Sequence, residues 1–116
     1  MGLDVAGGFL FIGCDATAEV MNVGGDGAVI SKIDTGDGVD DIHYDPAAHL
    51  LYVGAARAAK LTIARADSAG KLTTVAQVMT QNGARNAAVT KDGTVYLAHG
   101  GGVKLPALVV VSPSGR

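Results

Sequence analysis

Apolar and polar residues alternate along most of the chain in short runs, and glycine, aspartate, serine and proline interrupt these runs. Strict alternation over a few residues is typical of a β-strand with one buried face. The pattern predicts an all-β protein with strands near residues 3–6, 9–14, 18–23, 28–34, 40–44, 50–54, 60–65, 72–78, 85–90, 94–98 and 107–112. The alanine-rich segment 54–60 is too short to be stable as a helix, so we expect a loop there.

The interruptions have the chemistry of tight turns. The glycine-rich segment 24–27 and the pair Asp92-Gly93 tolerate the positive φ angles that two-residue hairpin turns require. Asp45-Pro46 and Ser112-Pro113 also favour turns, because proline fixes φ and removes a backbone donor. Neighbouring strands are therefore expected to pair as antiparallel hairpins.

An internal repeat organises these strands. Leu10-Phe11-Ile12-Gly13 recurs as Leu51-Tyr52-Val53-Gly54 and, more loosely, as Val95-Tyr96-Leu97-Ala98. Each copy is followed by a second apolar run and a turn that contains glycine, and residues 38–41 before the second copy match residues 83–86 before the third. A period of about 40–50 residues that holds four strands is typical of β-propeller blades.

The repeated segments resemble the YVTN/YncE-like family of β-propeller repeats. That family has an aromatic-containing "LYV" strand after an "SPDG"-like turn. Here Leu51-Tyr52-Val53 follows residues 43–46, and Val95-Tyr96-Leu97 follows residues 89–93. Ile33-Asp34-Thr35 is similar to the "ID-x-T" strand end of the family. The resemblance implies a propeller built of four-stranded antiparallel blades, and it implies no particular activity because the fold hosts many functions.

Blade boundaries follow from the repeat. We expect one domain over residues 1–116, with a first blade at about 2–37, a second at about 38–82 and an incomplete third at about 83–116. About 2.75 blades cannot close a ring alone, so open sheet faces would need a partner. We expect a homo-oligomer, with a dimer of about 5.5 blades preferred over a trimer of about eight. A complementary propeller fragment is the alternative partner, and an excised or engineered fragment is a further interpretation.

Charge and composition exclude several classes of protein. The formal net charge is -2, with 9 basic and 11 acidic residues, which gives no electrostatic basis for binding nucleic acid or an anionic membrane. The single cysteine excludes an intrachain disulfide framework. No apolar run approaches the roughly 18 residues of a membrane span, and no signal peptide is visible. We expect the protein to be cytoplasmic as expressed, with its natural location open.

The densest polar segment contains the candidate binding site. Asp40, Asp41 and His43 lie on a predicted innermost strand, and Arg85 and Asn86 are the matching residues of the third blade. Around the mouth of a central channel, this set could hold a small polar ligand. The alternative is that these groups only cap turns and form ion pairs between blades, since blade loops are rich in aspartate for hydrogen-bonding reasons alone. We predict no metal site and no cofactor.

Two classes of function remain open. The first is a non-catalytic propeller module that self-assembles and presents its channel or loops for binding. It is favoured by the lack of a complete catalytic motif. The second is a lactonase-like or metal-assisted hydrolase that uses the carboxylates of Asp40, Asp41 and Asp45 around His43. No catalytic residue is assigned with either interpretation.

Other side chains carry expectations about packing. We expect the largest core groups of this aromatic-poor chain to be Tyr52 and Tyr96. Cys14 is expected to be a small packed thiol, and His49 a surface or inter-blade residue. His99 opens the glycine run 100–102, which we interpret as a flexible loop. Equivalent loops are expected to bring three charged residues to one rim: Asp15, Arg57 and Lys104.

Overall fold

A computed structural model describes residues 1–4, 6–99 and 107–112 of the chain. The described part is entirely strands, turns and loops, which confirms the all-β prediction, and it contains no helix long and apolar enough to cross a membrane. The strands in chain order are β1 (Gly2–Asp4), β2 (Phe9–Gly13), β3 (Thr17–Asn22), β4 (Val29–Asp34), β5 (Val39–Asp45), β6 (Leu50–Ala55), β7 (Lys60–Ala66), β8 (Leu72–Met79), β9 (Arg85–Val89), β10 (Val95–His99) and β11 (Ala107–Val111). Residues 56–59 form a turn, as expected for the alanine-rich segment.

The strands form three antiparallel sheets in which chain neighbours pair. The first sheet has the order β1-β2-β3-β4 and the second β5-β6-β7-β8, while the third pairs β9, β10 and β11. The first two sheets are simple meanders, because short turns join their consecutive strands as antiparallel neighbours. The sheets are blade-like, and the first two have four antiparallel strands each. The glycine run 100–102, Lys104 and Pro113 lie outside the described residues.

The first and second sheets pack face to face through aromatic and branched side chains. The rings of Phe11 and Tyr44 are stacked with centroids 4.2 Å apart. Because side chains alternate along each strand, every second one points toward the neighbouring sheet. Burial of these apolar side chains away from water stabilises the packing of the first sheet on the second. The buried cluster between the two sheets consists of Phe9, Phe11, Ala18, Val20, Ile42, Tyr44, Leu51, Val53, Ala64, Ala66 and Leu72.

The opposite face of the second sheet packs on the third sheet. Tyr52 is only 3% exposed there, which confirms the prediction that it is a core residue. The buried cluster between these two sheets consists of Tyr52, Leu61, Ala84, Val95 and Leu97. The second sheet is therefore buried on both faces, and each of its outer neighbours is covered on one.

The prediction that Tyr96 is a core residue is wrong. Tyr96 occupies the same place in β10 as Phe11 in β2 and Tyr52 in β6, but it is 38% exposed. Phe11 and Tyr52 are each covered by the next sheet along the chain. Tyr96 points away from the second sheet, as Phe11 points away from its own strand β2 toward the neighbouring sheet, and no sheet of the described residues covers it there. Leu108 and Val110, on the neighbouring strand, are 64% and 52% exposed on this face.

The glycine that ends the repeated motif permits close packing of the next sheet. A Cβ atom at Gly13 would lie 2.9 Å from Cγ1 of Val39. A Cβ atom at Gly54 would lie 3.2 Å from Cα of Arg85. Both neighbours belong to the first strand of the following sheet, so a side chain at either glycine would push the sheets apart. The third copy of the motif has Ala98, which is exposed and faces no further sheet.

Candidate functional site

The first strands of the second and third sheets lie side by side and bring most of the predicted site together. The carboxylate of Asp40 at the start of β5 lies 3.7 Å from a guanidinium nitrogen of Arg85 at the start of β9. Both side chains are more than half exposed. Such an exposed pair contributes little to stability, because water screens it.

Asp41 is the best-connected residue of this cluster. Its Oδ1 atom accepts hydrogen bonds from the N-terminal ammonium group of Met1 at 3.0 Å and from the backbone N–H of Ile42 at 2.8 Å. These two bonds hold the pKa of Asp41 below its ordinary value. The backbone N–H of Asp41 donates in turn to the side-chain oxygen of Asn86 at 3.1 Å. Asn86 reaches this position with a left-handed backbone, at φ 60°.

His43 stands apart from these contacts. Its register partner is Tyr52, and their ring centroids are 6.2 Å apart. Asp45 is engaged elsewhere, since its Oδ1 atom accepts from the backbone N–H of Ala47 at 3.0 Å and of Ala48 at 3.3 Å. The structure thus brings Asp40, Asp41, Arg85 and Asn86 together and leaves His43 and Asp45 outside that set.

The cluster formed by Asp40, Asp41, Arg85 and Asn86 can offer polar groups to a small ligand but has little capacity for catalysis. Its carboxylates are exposed and already bound to an ammonium group, a guanidinium group or a backbone N–H. Within the described residues, no group of three or more histidine, cysteine, aspartate or glutamate side chains could hold a metal ion. The geometry matches the interpretation that these groups join neighbouring sheets.

Two other predicted features have clear positions. Arg57 donates to Asp15 at 2.9 Å across the loops of the first two sheets, which confirms that these residues share a rim. The Sγ–H of Cys14 donates to Glu19 at 3.2 Å. This hydrogen bond, together with burial, raises the pKa of the Cys14 thiol and disfavours the nucleophilic thiolate.

A second polar cluster lies between the ends of β1 and β5. The hydroxyl of Tyr44 donates to Oδ2 of Asp4 at 3.3 Å and contacts Nδ1 of His49 at 3.4 Å. Burial of the ring, and then the nearby Asp4 carboxylate, raise the pKa of Tyr44 to about 12. Asp4 and His49 line a cleft of about 510 Å³ between the first and second sheets.

Sequence reasoning missed this second cluster, although the repeat carries a signal for it. Gly8, His49 and Gly93 occupy the same place in the turn before the second strand of each sheet, and all three have positive φ. Two copies of the repeat therefore have glycine where the second has a histidine. Tyr44 lies in the same hairpin as His49, but Asp4 belongs to the first sheet and reaches the Tyr44 hydroxyl only through the stacking of the two sheets.

Comparison of the chain with models of protein families, with curated proteins and with solved structures gives no match. The resemblance to YVTN/YncE-like repeats consequently stays a prediction. What the fold defines is an all-β chain of stacked, blade-like antiparallel sheets.

Proposed function

We propose that the chain is a non-catalytic β-propeller module that binds further copies of itself head to tail, closes into a ring and presents the channel-side polar cluster for binding. One observation carries this proposal. The two uncovered sheet faces of the chain are of the same two kinds as the faces that meet between its neighbouring sheets. Each internal interface joins two different kinds of sheet face, and one face of each kind is uncovered in the structure.

The first kind of face carries the aromatic residue of the repeat. Phe11 on the first sheet and Tyr52 on the second both point toward the next sheet. Tyr96 repeats this position on the third sheet and is exposed beside Leu108 and Val110. An exposed apolar patch of this composition is typical of an interaction surface.

The second kind of face receives that aromatic residue. Leu51 and Val53 on β6 receive the first sheet, and Val95 and Leu97 on β10 receive the second. The equivalent residues of β2 are Leu10 and Ile12, which alternate with the buried Phe9 and Phe11 and so face outward. Leu3, the register partner of Leu10, is 57% exposed.

These two open faces fit each other as the internal faces do, so the favoured partner is a second copy of this chain in a head-to-tail arrangement. A head-to-tail contact repeats until a ring closes. Two copies supply about 5.5 blades and three supply about eight, and we favour two. In such a ring the strands β1, β5 and β9 line the channel, with Asp40, Asp41 and Arg85 near its mouth.

The hydrolase alternative has no observation in its favour. It requires free carboxylates near an imidazole, whereas Asp41 is bound to the N-terminal ammonium group and Asp45 to the turn that follows it. The binding module is therefore the function that we put to the test.

Two single variants and their mixture test the head-to-tail contact. Tyr96→Glu blocks one open face and Leu10→Glu blocks the other, because a buried carboxylate without a partner is costly. Each variant alone is expected to be a monomer by light scattering, and an equimolar mixture is expected to form a dimer through the one intact pair of faces. Thr73→Glu, an exposed position on the outermost strand β8, is the matched control and should keep the wild-type mass.

The mixture separates this proposal from other modes of association. A face that pairs with its own copy would be blocked by one variant and untouched by the other. Wild-type mass in both single variants, or no association in the mixture, contradicts the proposal. Assembly only after addition of a different propeller fragment would favour the complementary-fragment interpretation instead.

A further inference from the structure

The third sheet has one strand fewer than the other two sheets. In the first and second sheets a fourth strand, β4 or β8, pairs with the outer side of the third strand. Among the described residues, the equivalent strand β11 pairs only with β10. Alternate N–H and C=O groups along the other edge of β11 therefore have no strand of the described chain to bind. Backbone groups in this arrangement are a template for one more extended strand.

The outermost strand of the second sheet shows where that strand would lie. Toward the first sheet, β8 is covered by β4, since the backbone N–H of Leu72 donates to the hydroxyl of Ser31 at 3.0 Å and Leu72 is buried. Toward the third sheet, β8 has no equivalent of β4 within the described residues, and Val75 is 47% exposed. A fourth strand in the third sheet would cover this side of β8 as β4 covers the other.

A cleft of about 330 Å³ occupies this place between the second and third sheets. Val75, Ala76 and Val78 line it from β8, and Val111 lines it from the edge strand β11. Successive side chains of a strand point to opposite faces, so alternate side chains of a strand beside β11 would point into the cleft. Burial of apolar side chains there would add to the backbone hydrogen bonds along the edge.

Arg65 gives the cleft its charge. It is the only charged residue among the described side chains that line the cleft. Arg65 pairs with Leu50 in the register of β6 and β7 and lies two residues from Ile63, so it shares the face of the second sheet that packs on the third. No residue in the described part of the chain forms a hydrogen bond or ion pair with its guanidinium group. An unpaired guanidinium fork is suited to a carboxylate.

We propose that the free edge of β11 binds an extended peptide segment of another protein, with apolar side chains at alternate positions in the cleft and a carboxylate side chain on Arg65. The edge selects a peptide over a small molecule, because its backbone donors and acceptors run the length of a strand. The site uses the edge of the third sheet and not its open face, so it does not depend on head-to-tail assembly.

A titration of the ¹⁵N-labelled full chain with a blocked peptide, Asp-Thr-Val-Lys-Val-Thr-Val, tests this assignment. The valines and the aspartate of this peptide share one face of an extended strand. The peptide is expected to shift the backbone amides of Val78, Val109 and Val111 to saturation. It is also expected to slow hydrogen exchange at alternate amides of β11, because a paired strand protects the amides that it binds.

Methylation of the peptide backbone separates strand pairing from apolar contact alone. Only one of the two alternating sets of peptide N–H groups can face β11. N-methylation of that set is expected to abolish binding, whereas N-methylation of the other set is expected to retain it. Equal affinities of the two methylated peptides would overturn the strand-pairing mode.

The contact with Arg65 is tested by a second peptide, in which asparagine replaces the aspartate. The wild-type chain is expected to bind this peptide about threefold to fivefold more weakly, as is typical of an exposed ion pair. Arg65→Gln should bind the two peptides equally. Arg57→Gln, in the rim ion pair with Asp15, is the matched control and should discriminate between the peptides as the wild type does.

The contact with the cleft is tested at Val75, which is exposed enough for substitution without loss of the fold. Val75→Gln should lower the affinity for the aspartate peptide about fivefold, because a polar group is then desolvated by the bound strand. Val23→Gln is the matched control, since Val23 is similarly exposed but lies in the first sheet after β3, and it should leave the affinity unchanged.

Two further results would overturn the proposal. The first is the absence of saturable shifts at Val78, Val109 and Val111 with the aspartate peptide. The second is unchanged discrimination between the aspartate and asparagine peptides in a folded Arg65→Gln variant, which would remove the carboxylate from the ligand that we propose.

Discussion

The phenol of Tyr44 is the titratable group that the fold perturbs most clearly. Its ring is stacked on Phe11 in the core between the first two sheets, and its hydroxyl lies beside the carboxylate of Asp4. Burial and this negative neighbour both disfavour the phenolate, so the pKa rises from 10.0 to about 12. The neutral hydroxyl is the form that the folded chain requires.

Stability at alkaline pH should therefore depend on Tyr44. The folded chain binds the phenolic proton more tightly than the unfolded chain, so this contribution is fully present below pH 10.0 and is lost as pH rises through about 12. Tyr44→Phe removes the titrating group and keeps the ring. Urea unfolding should show a free energy of unfolding that falls less steeply with pH in this variant. Parallel curves for the two proteins would mean that Tyr44 ionises as freely in the folded state.

Single residues also mark the limits of reading this sequence. The repeat pairs residues 38–41 with 83–86, and that correspondence was enough to predict that Asp40 and Asp41 would meet Arg85 and Asn86. It could not predict the part played by His49, because the partner Asp4 belongs to another sheet. Tyr44 lies in the same hairpin as His49, and only the packing of the first sheet on the second brings Asp4 to the Tyr44 hydroxyl.

Among the elements, β6 and β10 carry the same motif in two different environments. Tyr52 on β6 lies between the second and third sheets at 3% exposure, whereas Tyr96 on β10 is 38% exposed. The number of covering sheets, and not the local sequence, accounts for this difference. The two tyrosines consequently make a matched pair for measuring what an adjacent sheet contributes.

Truncation of these two tyrosines should have unequal effects on the unfolding of the single chain. Tyr52→Ala is expected to cost about 3–5 kcal/mol, because it leaves a cavity between two sheets. Tyr96→Ala is expected to cost about 1 kcal/mol or less when unfolding is measured at high dilution, where association is weak. Chemical denaturation of both variants provides the comparison. Equal losses in dilute solution would show that Tyr96 is covered within the chain itself.

Strand positions were the most predictable level of the fold. Period-two alternation locates a strand because it reflects which face is buried, and glycine and proline locate the turns. The bounds differ where a side chain ends a strand. The first strand is predicted at 3–6, whereas the described strand is Gly2–Asp4 and Ala6 lies in a turn, in which the Asp4 carboxylate accepts from the backbone N–H of Gly7. Whether an apolar sheet face is covered depends on the presence of a further sheet next to it, and the alternation within a strand does not encode this.

On the scale of the whole molecule, the sheets form a series with two unlike ends. The first sheet exposes the receiving kind of face, including Leu3, and the third exposes the aromatic kind, including Tyr96. Because every internal contact joins one face of each kind, the ends of two copies can meet by the same packing. The sequence repeat suggests a head-to-tail contact between copies, and the exposed residues on the two end faces are the positions at which single substitutions can disrupt it.

The solution mass of the wild-type chain, measured by light scattering coupled to size exclusion, tests the head-to-tail account most directly. The account predicts a discrete multiple of 11.6 kDa, with two copies favoured over three. A single mass of 11.6 kDa that persists as the concentration is raised would contradict it. A continuous distribution of larger masses would contradict ring closure, since unlike faces that do not close a ring form open chains.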